Sequence, residues 1–230
     1  MKNLVMIMSL VLLCSCSEEV SDVSLDPGYD FFPLELNAYR TYEIQEVTFE
    51  VFQPDTTRYF LKEVVKDSMT AGDGLVTYLI NRFKSPDSLS WKLDSVWTAR
   101  RSEVVAVINE NDVPFCKLVF PIKEGRTWDG NAFNVMDEQE YRFEQLSGYI
   151  IGSKTLESDK VIRVVIEDIP ENLVNQDERY EVYGRGIGLL EKNYIQLSFC
   201  TLNCVEKGFS IGAIEKGRIL SQKLIKYGVE

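Results

Sequence analysis

From residue 31 to the end of the chain, apolar and polar side chains alternate in runs of strand length, and this two-residue period constrains the fold more than any other feature. The runs cover 42–51, 58–66, 75–83, 89–100, 103–109, 114–122, 141–151, 160–168, 179–184, 189–199 and 218–227. They are rich in Val, Ile, Tyr, Phe, Thr and Trp and are broken by Gly, Pro, Asn and Asp. No long amphipathic helix stands out. Asp73-Gly74 and Glu215-Lys216-Gly217 carry hairpin chemistry between neighbouring runs. Sequential strands joined by short turns build an antiparallel meander, so the expected class is all-β: a curved open sheet, a half-barrel or a barrel-like domain. The first run changes phase across Gln45-Glu46, which reads as a β-bulge. The longest interruption, Glu124 to Glu140, is either a linker or a loop crossing an open end. Its aromatics Trp128 and Phe133 favour the loop.

The N-terminus has a different character. Lys2 precedes the apolar run Leu4 to Met8 and Val11 to Leu13, followed by Cys14-Ser15-Cys16-Ser17-Glu18-Glu19. The run is too short for a bilayer span of roughly 20 residues and has the order of a secretory signal: a charged start, an apolar middle, a small residue before the cut. Leu13, Cys14, Ser15 and Cys16 resemble the lipobox of bacterial lipoproteins. That resemblance implies cleavage before Cys16, a signal peptide over 1–15 and lipid on the Cys16 sulfur. Cys14 is the weaker candidate because bulky Leu13 precedes it. Residues 16–30, polar and ending in a Pro-Gly turn signal, read as a flexible tether, and 31–230 as a single β-domain. Ser17-Glu18-Glu19 looks like the short acidic signal of Bacteroidota lipoproteins, which implies the outer membrane, at its periplasmic face or the cell surface. A solvated linker start is the other reading.

The formal charge of −11 argues against nucleic acid and anionic headgroups as partners. Histidine is absent. That removes Ser-His-Asp and Cys-His catalysis, histidine-ligated metals and the commonest general base at neutral pH. Carboxylate chemistry, lysine chemistry or no chemistry remain, and a non-enzymatic protein without cofactor or metal is the expectation.

Cys200 and Cys204 lie four apart, and a local disulfide is expected in an oxidising compartment if a turn brings their Cα atoms within about 7 Å. A metal reading of this pair is weak, since Cys116 would be only a third thiolate. Cys116 lies in the apolar stretch Pro114 to Pro121 and reads as a free buried thiol. Glycines 184, 186 and 188 invite a phosphate-loop reading, but the run from Leu189 onward is strand-like, so they mark a bulge or a close backbone approach. Asp94 near Trp91 and Trp97, and Asp129 beside Trp128, are the carboxylates a glycosidase reading would use. Nothing ties them into a motif. Aromatics, 11% of the chain, either fill a core or line a ligand-holding mouth.

Two stretches taken together, Phe31 to Tyr42 and Tyr183 to Leu189, resemble a loose group of uncharacterised Bacteroidota lipoproteins whose domains open with a "YFPL…G..W.Y" segment and later carry "GIGL" before a strand. Asn37-Ala38 and Tyr39-Arg40 depart from that pattern. The resemblance implies an all-β envelope protein and transfers no catalytic residue. The expected function is a membrane-anchored, non-enzymatic binding or scaffolding domain, with a protein or a lipophilic ligand as partner beside the membrane itself. The alternatives are a carrier of a lipophilic ligand in a half-barrel, a carbohydrate-active enzyme with paired carboxylates, and an adhesin subunit.

Overall fold

The computed structural model describes residues 26–50, 52–70, 72, 74–206 and 208–230. The signal segment, Cys16, most of the tether and Asp73 of the first hairpin signal lie outside the described residues.

The strands are β1 (Ala38–Glu50), β2 (Gln53–Thr70), β3 (Val76–Ser85), β4 (Lys92–Arg101), β5 (Val105–Glu110), β6 (Val113–Val119) and β7 (Thr127–Asp129). They continue with β8 (Glu140–Gln145), β9 (Gly148–Ile151), β10 (Lys154–Glu157), β11 (Val161–Ile169), β12 (Asn175–Gly184), β13 (Gly188–Phe199) and β14 (Ile214–Val229). Among the described residues the helical content is two 3₁₀ turns, Tyr29–Phe31 and Ser158–Lys160. Twelve strands form one sheet in the order β6-β5-β4-β3-β2-β1-β14-β13-β12-β11-β8-β7, every pairing antiparallel, while β9 and β10 pair with each other. The fold is thus the expected antiparallel meander, and it curls until its two edges meet. The Cys116 N–H donates to the Gly130 carbonyl at 2.9 Å, and the Trp128 indole N–H donates to the Cys116 carbonyl at 2.9 Å. Joining β6 to the β7 end in this way leaves little unpaired edge, the usual reason for a sheet of this curvature to close. A side chain at Gly130 would meet the Tyr141 ring at 2.3 Å, so the seam closes this tightly only with glycine there.

Several expectations are corrected. The bulge beside β1 lies between Thr41 and Tyr42, where β14 carries the extra residue Ile225. The β1–β2 register runs unbroken through Gln45-Glu46. The stretch 124–140 contributes the edge strand β7, and its aromatics divide: Trp128 packs on Tyr141 and Phe143, whereas Phe133 is exposed. The run 141–151 breaks into β8 and β9, and β10 was unforeseen.

Residues 27–34 fold across one end of the barrel. The Pro27 carbonyl accepts from Ile122 N–H at 3.0 Å, Asp30 from Gly186 N–H at 2.8 Å, and Arg101 Nη1 donates to the Tyr29 and Phe32 carbonyls at 2.7 and 2.9 Å. Phe31 and Phe32 are buried in a core shared with Val65, Ile80, Leu118, Phe143, Val164 and Tyr183, which come from both walls. A second core joins Tyr42, Ile44, Leu61 and Leu224 to Leu156 of the β9–β10 hairpin and to Val161 and Val182.

Cys200 and Cys204 are joined in a disulfide with a Cα–Cα distance of 5.8 Å, in the long β13–β14 connection. A bridge closing so short a loop constrains the unfolded chain by about 2 kcal/mol at most. Replacing both cysteines by serine is therefore expected to lower the unfolding free energy measured in urea by no more than that, with the sheet signal in circular dichroism unchanged.

Candidate functional site

Nine strands turn side chains toward a cavity of about 50 Å³ inside the barrel. Phe32, Pro33 and Leu34 cover it from the N-terminal segment, and Ile80, Ile108, Trp97 and Leu189 supply apolar wall. The rest is charged or polar, an unusual filling for a small barrel.

At its centre Lys117 on β6 and Lys192 on β13 each bridge Glu110 on β5 and Glu181 on β12. The Lys117 contacts are both 2.9 Å, and Lys192 lies 3.5 Å from Glu110 and 3.2 Å from Glu181. This ring of alternating charge ties one wall of the barrel to the other. Glu181 is fully buried, and its two oxygens also accept hydrogen bonds from Tyr183 at 2.5 Å and Tyr194 at 2.7 Å. Lys117, Lys192 and Tyr194 converge on Oε1 and Tyr183 reaches Oε2, so both oxygens are partnered, which is the condition for holding a carboxylate out of water. Burial alone would raise the Glu181 pKa. The two lysines and the two hydroxyls overcome it and hold the carboxyl well below its usual range. Glu110 is likewise held low, burial opposed by Lys117 and Lys192. Lys117, which burial would discharge, is kept charged by Glu110 and Glu181, its pKa well above that of a free lysine.

A second row crosses three adjacent strands. Arg40 pairs in register with Glu63, and Glu63 with Arg82. Arg82 Nε donates to Glu63 at 3.0 Å, and its guanidinium lies 3.4 Å over the Trp97 ring. Arg40, buried, donates from Nε to the Ile187 carbonyl and from Nη2 to the Pro33 carbonyl at 3.0 Å. Gly188, in the left-handed region at φ 91°, makes room for it: a Cβ there would lie 2.8 Å from Arg40 Nε. Gly188 thus serves a close approach of backbone to side chain, Gly184 packs against Leu190, and Gly186 is left-handed at φ 68° with open space where a Cβ would lie.

The carboxylates read as glycosidase candidates are placed separately. Asp94 pairs with Lys84 at 3.0 Å and is the extra residue of a bulge in β4. Asp129 accepts from the Asn131 and Gln139 N–H groups at 2.8 and 3.0 Å and shapes the turn after β7. Cys116 is a buried free thiol whose pKa burial, reinforced by Asp129, pushes up to about 11. It is protonated at neutral pH and inert as a nucleophile. The cavity residues were missed in the sequence. Their one signal was a lysine, Lys117, inside the apolar stretch 114–121.

No protein-family model and no curated protein matches the chain. Among solved structures it is similar to a Bacteroides fragilis protein described as exported and as having a YmcC-like fold. That match has a TM-score of 0.47 and 11% identity, over 86% of this chain and 98% of the other. At that distance the likeness carries no argument about site or function.

Proposed function

We propose that this is an exported envelope protein, anchored to the outer membrane through lipid on Cys16, whose barrel is a non-enzymatic binding module with its ligand site in the charged interior cavity. The observation that carries the reading is the state of the carboxylates there. Glycoside hydrolysis needs one carboxyl kept protonated near neutral pH beside an ionised one. Glu110 and Glu181 are both held on the ionised side. Carriage of a lipophilic ligand is disfavoured by size, since pockets for drug-sized molecules run to about 300–1,000 Å³. This one has about 50 Å³.

The anchor is tested by intact mass and lipid analysis of the protein purified from its own membrane in mild detergent. The expected result is a chain beginning at an acylated Cys16, with no co-purifying lipid, and release of a Cys16→Ser variant from the membrane fraction, because acyl chains contribute about 0.8 kcal/mol per buried methylene. An unmodified Cys16 would refute the anchor. A stoichiometric bound lipid would restore the carrier reading.

A further inference from the structure

We infer that the interior cavity is a binding site for a small carboxylate anion, seated against Arg40 and Gln222. This deepens the binding-module reading and rests on it.

The first ground is charge. The chain carries −11, yet the groups facing the cavity are four cations and three carboxylates, one positive charge in excess. The alternating ring of Lys117, Lys192, Glu110 and Glu181 is neutral, and Arg82 is matched by Glu63. The surplus is Arg40. It bonds no carboxylate among the described residues, and its two hydrogen bonds end on the carbonyls of Ile187 and Pro33. A buried guanidinium with unused donors is a ready partner for a planar oxyanion.

The second ground is Gln222. It is 5% exposed, lines the cavity, and its amide makes no side-chain hydrogen bond to a described residue. Buried amides are ordinarily satisfied, so one that reaches an enclosed space without a protein partner is placed for a ligand or ordered water. Gln222 stands next to Lys192 across the β13–β14 ladder.

The third ground is size. At about 10–15 Å³ per water on this measure, the cavity holds about four waters, the bulk of a carboxylate with one short substituent. A single negative charge of that size neutralises the excess. Lining tyrosines and Trp97 leave little room for a second charged group.

The test is a pair of NMR titrations of the mature protein in detergent, with 13C-acetate and with 13C-acetamide, at constant ionic strength in chloride. The two probes have nearly the same shape and differ in charge. Trp97 lines the cavity, and its indole N–H, which donates to Asn111 Oδ1 at the exposed edge of the ring, reports from the protein side. Acetate is expected to saturate, at least tenfold tighter than acetamide, and Gln222→Leu to weaken acetate about tenfold, the loss of one hydrogen bond to a charged group. Arg40→Met should abolish saturation. Since Arg40 also ties down Ile187 and Pro33, its replacement puts folding at risk, and Gln222→Leu, which loses no hydrogen bond to a described residue, keeps the test decisive. Equal affinity for the two probes would overturn the anion inference and leave the binding module standing. Acetate binding untouched by Gln222→Leu would overturn the placement. No saturable response to either probe would overturn both.

Discussion

Replacing Lys117 by methionine will destabilise the barrel by about 3–5 kcal/mol at neutral pH, the usual cost of removing one partner from a buried ion pair. The lysine is 4% exposed and sits 2.9 Å from both Glu110 and Glu181. Without it, Lys192 alone faces two carboxylates, one of them sealed from water. The pH dependence separates charge from packing. In the native protein Glu181 has a depressed pKa, so its contribution is fully present above the unfolded-state value of about 4.3 and is lost as pH falls toward the folded value. In the Lys117→Met variant the excess negative charge favours protonation of one of the pair, and the deficit relative to the native protein shrinks as pH is lowered from 7 to 5. Urea midpoints of both proteins at the two pH values measure this. A deficit of equal size at both would assign the loss to packing and remove the ring from the account.

Phe31→Ala is expected to cost about 3–5 kcal/mol, the range for deleting a buried aromatic where neighbours cannot collapse. Phe31 is 2% exposed, lies under the Arg185 guanidinium at 4.5 Å, and belongs to the core that both walls share. Its loss also frees the segment whose next three residues roof the cavity, so entry of solvent should accompany the stability loss. Urea unfolding with an unchanged slope and faster hydrogen exchange at Ile122 and Gly186, whose N–H groups bond this segment, is the expected pair of readings. An unfolding free energy within about 1 kcal/mol of native would show that the barrel closes without this segment.

The β class was legible in the sequence because strands with one wet and one dry face alternate, as in β11, where Ile162, Val164 and Ile166 are buried on one side. What escaped were elements too short to show a period, β7 and β10, and a break at Leu146-Ser147 that sends β9 to a separate hairpin. The cavity escaped for a sharper reason. A charged residue in an alternating strand reads as solvent-facing, so Glu63, Glu181 and Lys192 looked like surface. Lys117 is the extra residue of a bulge, with Ala106 opposite Leu118 and Val107 opposite Cys116, and a bulge re-aims one side chain against the pattern around it. No count along the strand predicts where it will point. Its partners lie on strands far apart in sequence and adjacent in charge only once the sheet has curled.

The place of β1 in the sheet has a mechanical consequence. It is a middle strand, laddered to β2 on one side and to β14 on the other over nearly its whole length. A protein tethered ahead of this strand and dragged from its far side would feel the load there. Once residues 27–34 had come away, tension would run along β1 and oppose two ladders at once in shear. The same tension on an edge strand such as β7 would peel one ladder a pair at a time. Resistance to pulling is governed by the rate of unfolding rather than by equilibrium stability, and in a chain held from its N-terminal side the strand order would put β1 and its two ladders in line with the load.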